Sequence, residues 1–580
     1  MAEALSRTPR KRLFARILLA LVFAPLVVLA LLSVAELALA AAGVAPRRTN
    51  FERIREAEGT ESLVASKTPP HSWTLFTDQR IPVRRKSGIR RVLFVGESTV
   101  AGYPFQPPAA FCYWVEARLE KLLPDLDFEV LNLGVNGWNC EAVRDLVAEI
   151  GPSLEPDLYV VYSGHNEYLD ANIFAIKFPI RHGLQRIIES FHFGRLLLSW
   201  SKPRWREIDQ PLRNFRYSGL LDEPLIDAAE MSRAFRNYER NARDIVHIAC
   251  RQDAGVVFCL PVCDLRDTIV NCSSFSAATP LEVRESFRKK LLAVRVGRVR
   301  LEDARKADPS LDLDLPAQDL LREIDELEKI DATVGTLPYE RGRLLVLLRR
   351  YREARKFFEE ARDVDQQPVR ATRFLHDILV RVAREEGALI ADPRARFDAA
   401  DPIGIPGQDK MFVDICHPDM LGHPMIADSI IQALSEHDVF APKSSWRFAE
   451  EPTEEQYFRQ LGLSNQVQAR TCAMRALTAL LQGYFSSERE STLKKADGFF
   501  KIALKQDPDC ALAHAGLGFL EVMRGNKEAA LSLFEHARSL DPASLKPFED
   551  GCRRHPLVKE MFAKAELCFV DGKVEGTDTR

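Results

Sequence analysis

Arg91-Val-Leu-Phe-Val-Gly-Glu-Ser-Thr-Val100 is the stretch that decides the fold. Four consecutive apolar residues, Val92 to Val95, predict a buried parallel strand, and Gly96-Glu97-Ser98-Thr99 breaks it. A serine delivered at the C-terminal end of such a strand sits where open α/β sheets bind their ligands. An ordinary strand ending in a polar turn produces the same pattern. Whether Ser98 is a nucleophile therefore depends on a base, an orienting acid and oxyanion donors elsewhere in the chain.

Working outward, apolar runs alternate with helical patterns. Phe111 to Leu123 has apolar residues at helical spacing, and Pro124 stops it. Phe128 to Leu133 predicts a second strand, followed by Gly134-Val-Asn-Gly137 and a helix through Val147. Leu158 to Tyr162 predicts a third, followed by Ser163-Gly-His-Asn-Glu-Tyr168. A long helix from Phe235 to Ala249 precedes a fourth strand, Ala254 to Leu260. A helix from Thr372 to Glu385 precedes a fifth, Ala388 to Asp392. The segment Asp414-Ile-Cys-His-Pro418 and a helix to about Leu434 close the alternation. Strands separated by helices predict a three-layer α/β/α, flavodoxin-like domain with a mostly parallel sheet. Between Leu169 and Ile226 the pattern is poor. Phe191 to Trp200 is apolar and aromatic, as a lid, a face towards substrate or membrane, or an irregular helix packed on the domain would be.

Two regions depart from this rhythm. About Ala277 to Gln367 is charged and helical, with Gly342, Tyr351, Ala354, Phe358 and Ala361 at tetratricopeptide-like spacing. Beyond Lys443 no strand is expected. There Ala496, Phe500, Ala503 and Pro508 recur as Ala530, Phe534, Ala537 and Pro542, a period of 34 residues. Such a unit resembles tetratricopeptide repeats, which commonly bind a protein partner.

The N-terminus carries Arg7, Arg10, Lys11, Arg12 and Arg16, then an uncharged run from Ile17 to Ala35 of about bilayer-spanning length. Basic residues before the run place the N-terminus in the cytoplasm and the body of the protein outside. A signal peptide cleaved near Ala38-Leu-Ala40 would export the same body, while the length of the run favours an uncleaved anchor. The expected organisation is 1–45 cytoplasmic basic tip and membrane anchor, 46–89 linker and entry segment, 90–276 and 368–442 the two parts of the α/β domain, 277–367 a helical, tetratricopeptide-like insert, and 443–580 a tetratricopeptide-like region.

At 580 residues the chain exceeds one core. Its net charge of −3, from 80 basic and 83 acidic residues, gives no global field for nucleic acid. Eleven cysteines do not make a disulfide framework at this length. Cys259, Cys263 and Cys272 are open to three readings, a zinc site, a Cys263–Cys272 bridge or buried thiols. No Gly-Lys-Ser phosphate loop or dinucleotide fingerprint is present, so no cofactor is expected.

Gly-Glu-Ser98, Gly134-Val-Asn-Gly137, Gly164-His-Asn166 and Asp414-Ile-Cys-His417 together resemble, in order and chemistry, the four blocks of the SGNH (GDSL-like) hydrolase family. The resemblance covers roughly Arg90 to Leu434, minus the insert. It implies Ser98 as nucleophile, His417 as base, Asp414 as orienting acid, and the N–H of Ser98 and Gly137 with the Asn166 amide as oxyanion donors. Two departures touch the fine geometry, Glu97 where the family usually has Asp and Glu167 where it usually has Asp after the asparagine. His165 is expected to face solvent or to pack, and His423 to be a structural residue of the helix start. The implied activity is a serine esterase acting on a lipid, glycan or small ester. An O-acyltransferase of a cell-envelope polysaccharide, or a scaffold whose repeats recruit a partner, remain alternatives.

Overall fold

A computed structural model describes residues 23–46, 49–56, 59–66, 80–105, 109–200, 219–408, 411–485, 489–554, 556–570 and 573–576. The basic residues from Arg7 to Arg16 lie outside these. The chain divides into two compact units, one made of stretches within Met1–Glu52, Ser66–Ser72 and Phe174–Pro211, the other of the remainder.

In the first unit, the helix Phe23–Ala41 has 19 residues, a mean hydropathy of 2.3 and no buried share. It is long and apolar enough to cross a membrane. Two further helices, Pro179–Ser190 and His192–Trp200, belong to the same unit. The poor pattern read from Leu169 to Ile226 thus conceals regular helices. Gly183 and Gly194 interrupt their apolar faces, and Pro179 starts the first of them.

The strands β1 (Phe51–Arg55), within which the first unit ends and the second begins, β2 (Glu61–Ala65) and β3 (Ile81–Pro82) form a small sheet in that order. These strands lie within the stretch expected to be a linker and entry segment. Each strand buries only one or two residues, such as Leu63 and Ile81, so no apolar run announces it.

The central sheet comprises β4 (Arg90–Gly96), β5 (Phe128–Gly134), β6 (Leu158–Tyr162), β8 (Gly255–Cys259) and β10 (Leu389–Ala391). Between them β7 (Gly219–Leu221) and β9 (Cys272–Ser274) form a separate parallel pair. The central order is β10-β8-β6-β4-β5, every pairing parallel. Counting only these five strands, that is the order 2-1-3-4-5, the flavodoxin-like arrangement whose switch point lies beside its first strand. The first of these strands is β4, which delivers Ser98. Val92 to Val95 are fully buried because neighbouring strands flank β4 and helices cover both faces. Helices Phe111–Leu122 and Gly422–Glu436 pack together in one layer. Helices Cys140–Leu154 and Arg373–Glu386 each pack on Ala228–Cys250 in the other.

Helices Leu281–Ala307, Asp314–Ile330, Thr336–Leu347 and Tyr351–Asp363 occupy the helical range between β9 and β10. The buried Arg298 donates to Glu340 at 2.6 Å and to Glu302 at 2.8 Å. Arg343 joins Glu302 to Asp267, at 2.8 and 3.1 Å, tying these helices to the segment after β8.

Beyond Lys443 the helices Asn465–Phe485, Arg489–Gln506, Ala511–Arg524 and Lys527–Leu540 pack in succession. Ala496, Phe500, Ala503, Ala530, Phe534 and Ala537 all enter one core. The expectation of no strands there is corrected by a hairpin, β11 (Leu567–Val570) and β12 (Lys573–Gly576). Its strands are four residues long, too short for an alternating pattern to stand out.

Candidate active site

The site starts where β4 cannot continue. A side chain at Gly96 would place its Cβ 2.1 Å from the Tyr162 carbonyl oxygen of β6. Glycine there lets the two strands close up right to their ends. Glu97 follows with extended angles, and Ser98 opens the four-residue helix Ser98–Ala101. Gly102, with φ of +84°, ends this helix in the left-handed region that glycine adopts without strain. Ser98 is thereby held at the sheet's C-terminal edge, 8% exposed.

His417 and Asp414 come from a loop that folds back on itself. Val413 N–H donates to the His417 carbonyl at 2.8 Å, and Phe412 bridges to Pro418. The loop docks on the segment after β8 through Asp264 N–H to the Ile415 carbonyl, 3.0 Å. Asp414 Oδ1 accepts the backbone N–H of Cys416 and of His417, each at 3.0 Å. Its two oxygens lie 2.8 and 2.7 Å from His417 Nδ1. Burial pushes the Asp414 carboxyl upward, but the His417 imidazole and these donors outweigh it and hold the group below the usual value. An ionised Asp414 fixes the proton on Nδ1 and leaves Nε2 as an acceptor. Nε2 lies 2.5 Å from Ser98 Oγ. The Tyr103 ring leans on the imidazole, centroids 4.6 Å apart.

The Asn166 amide donates to the Trp138 carbonyl at 2.9 Å, so the third block is bonded to the residue following Gly137. Gly137 has φ of +76°, and a Cβ there would meet no atom within 4 Å. Ser98, His417 and Asp414 are thus joined by direct contacts, and Gly137 and Asn166 are joined through Trp138.

Glu97 and Glu167, the two departures from the family pattern, are both buried and structural. Glu97 accepts the N–H of Gly164 and, at 3.0 Å, that of His165. Glu167 accepts the Cys140 N–H at 2.8 Å. Burial foremost, then the neighbouring Glu167, pushes Glu97 up to about 8. Burial likewise pushes Glu167 up to about 7. Sequence reasoning placed neither residue in a role, although the unusual acid before the serine was the available signal. Nothing in the sequence marked Tyr103.

His165 packs inside. Its Nδ1 accepts the Ala371 N–H at 3.0 Å, and burial, followed by the charges of His417 and His376, lowers its pKa to about 3. His423 accepts the Phe111 N–H at 3.2 Å and stacks on that ring at the start of its helix. Cys259, Cys263 and Cys272 are buried free thiols, the third of the readings above, and no Cys263–Cys272 bridge forms. Cys272 is held in β9 and Cys259 in β8, where backbone pairing sets their positions. Among the described residues, one cluster has metal-ligand geometry, Asp414, Cys416 and His417, with ligand atoms within 4.8 Å of one another. It does not fit a metal well. His417 Nδ1 is already taken by Asp414, and burial holds the Cys416 thiol well above its usual pKa, hence protonated.

No family model matches the chain, and no curated protein does. Solved structures with a similar chain path include the acetylxylan esterase Axe2 of Geobacillus stearothermophilus, at 13% identity and a TM-score of 0.27, over 60% of this chain and 94% of that one. A second is LAE5, an α/β hydrolase enzyme from the metagenome of Lake Arreo, at 14% identity and a TM-score of 0.26, over 59% and 94%. A third, described as a GDSL-like lipase, comes from Parabacteroides merdae, at 12% and 0.29, over 60% and 97%.

Proposed function

We propose that the chain is a membrane-anchored serine esterase of the SGNH type. The observation that carries this is the continuous contact from Ser98 Oγ to His417 Nε2 at 2.5 Å and from His417 Nδ1 to Asp414 at 2.7 Å. His417 takes the proton of Ser98 as its oxygen attacks the ester carbonyl, and Asp414 stabilises the imidazolium that forms. The backbone N–H groups of Ser98 and Gly137 and the Asn166 amide face the developing oxyanion. Collapse expels the alcohol, which takes the proton from His417. Water activated by the same imidazole then releases the acid from the acyl-enzyme. A sugar hydroxyl in place of that water would make the enzyme an O-acyltransferase.

The helix Phe23–Ala41 is long and apolar enough to serve as the anchor, and the basic residues before it support a cytoplasmic N-terminus with the α/β domain exported. Detergent-solubilised full chain is expected to hydrolyse an aryl acetate and to be labelled by a fluorophosphonate. Ser98→Ala should abolish both, and activity surviving that change rules the assignment out. Acyl transfer outrunning hydrolysis when a glycan is supplied selects the transferase.

A further inference from the structure

The helix Pro179–Ser190 buries none of its residues. Ile180, Leu184 and Ile187 are 79%, 55% and 59% exposed, and their spacing places them, with Ile188, on one face. Phe191 and Leu197, 52% and 44% exposed, extend the apolar surface into the next helix. His182, Gln185, Arg186 and Glu189 occupy the opposite side. In water such a stripe is unfavourable, because its apolar surface stays wet.

The hairpin is bonded to the end of the apolar helix Phe23–Ala41. Glu36, in the last turns of that helix, accepts the N–H of His192 at 2.6 Å and of Phe193 at 2.9 Å. His192 Nδ1 lies 2.9 Å from the Val44 carbonyl, and Arg195 donates to the Ala45 carbonyl at 2.8 Å. These contacts lie at and just beyond the point where the span ends. A carboxylate at that depth is costly unless paired, and the start of the helix His192–Trp200 supplies its partners.

We propose that the hairpin Pro179–Trp200 is a second membrane element, lying in the interface of the leaflet where the span emerges, with Ile180, Leu184, Ile187 and Phe191 among the acyl chains. The inference rests on the anchoring proposed above. Lipid is the occupant because the hairpin carrying this exposed face is hydrogen-bonded, through His192 and Phe193, to Glu36 of an exposed apolar span. The net charge of the hairpin agrees, since Arg181, Arg186 and Arg195 outnumber Glu189, the sign an anionic lipid surface attracts. The hairpin would hold the enzyme's exit from the membrane at a fixed depth.

The test uses the full chain in vesicles of phosphatidylcholine and phosphatidylglycerol, with photoreactive p-benzoylphenylalanine placed in turn at positions 28, 180, 187 and 189. Lipid crosslinks are expected from 28, 180 and 187 and not from 189. A Leu184→Asp chain should lose those from 180 and 187 while keeping that from 28. Crosslinking at 28 without any at 180 and 187 overturns the proposal and leaves the anchor standing. Absence of lipid crosslinks at 28 overturns the anchor, and this inference with it. Crosslinks from 180 and 187 to protein alone assign the face to a protein partner and also overturn the proposal.

Discussion

Glu97 Oε1 lies 3.0 Å from the backbone nitrogen of His165. The residue before the proposed nucleophile thus holds the loop that carries Asn166, and two of the four sequence blocks are connected by a buried carboxyl. Deleting it would leave the N–H groups of Gly164 and His165 without their acceptor.

That relationship has a pH signature. Glu97 is raised from the ordinary 4.5 to about 8, so the folded protein keeps this proton where the unfolded chain has lost it. Stability from this group is therefore full below pH 4.5 and is lost as pH rises through about 8. Glu97→Gln removes the dependence. Urea titrations across this window should show the variant gaining on the wild type as pH rises, and a constant difference would contradict the assignment.

Asp414→Asn should leave the loop folded but favour the wrong imidazole tautomer. The expected loss in kcat is about 10³–10⁴-fold, with little change in the unfolding midpoint. A loss under about tenfold would remove Asp414 from the triad.

Asn166→Ala separates an oxyanion donor from a mere tie to Trp138. As a donor, its loss should lower kcat by about 10²–10³-fold with KM nearly unchanged. An effect confined to thermal stability would leave Asn166 only its hydrogen bond to the Trp138 carbonyl.

Gly96→Ala would drive a methyl group to 2.1 Å from the Tyr162 carbonyl oxygen. Neither strand end can move without breaking the parallel pairing of β4 with β6, so a cost of about 3 kcal/mol or more is expected. Near-wild-type urea denaturation would show that the edge is looser than the packing indicates.

The five central strands were legible because each is a short apolar run, as burial on both faces requires. Ser98, Gly137, Asn166, Asp414 and His417 could be named because their order along the chain resembles a known pattern. The strands β1 to β3, β7, β9, β11 and β12 were not legible, since short or half-buried segments carry no such run. The amphipathic stripe of Ile180, Leu184 and Ile187 was readable in principle, but glycines and charged neighbours diluted it. A Cys263–Cys272 bridge and buried thiols stayed open as readings because spacing along the chain does not report where two thiols point.

The sequence by itself determined the strand–helix alternation, the position of Ser98 at a strand end and a candidate set of partners for it. Periodicity and local order suffice for these, because they depend on neighbours along the chain. Tertiary structure alone decided that Ser98, 319 residues from His417, meets it at 2.5 Å. It also decided that Glu97 turns inward to hold the third block and that the apolar face of Pro179–Ser190 stays uncovered. These are long-range contacts, set by how strands and helices close around a core, and no local pattern encodes them.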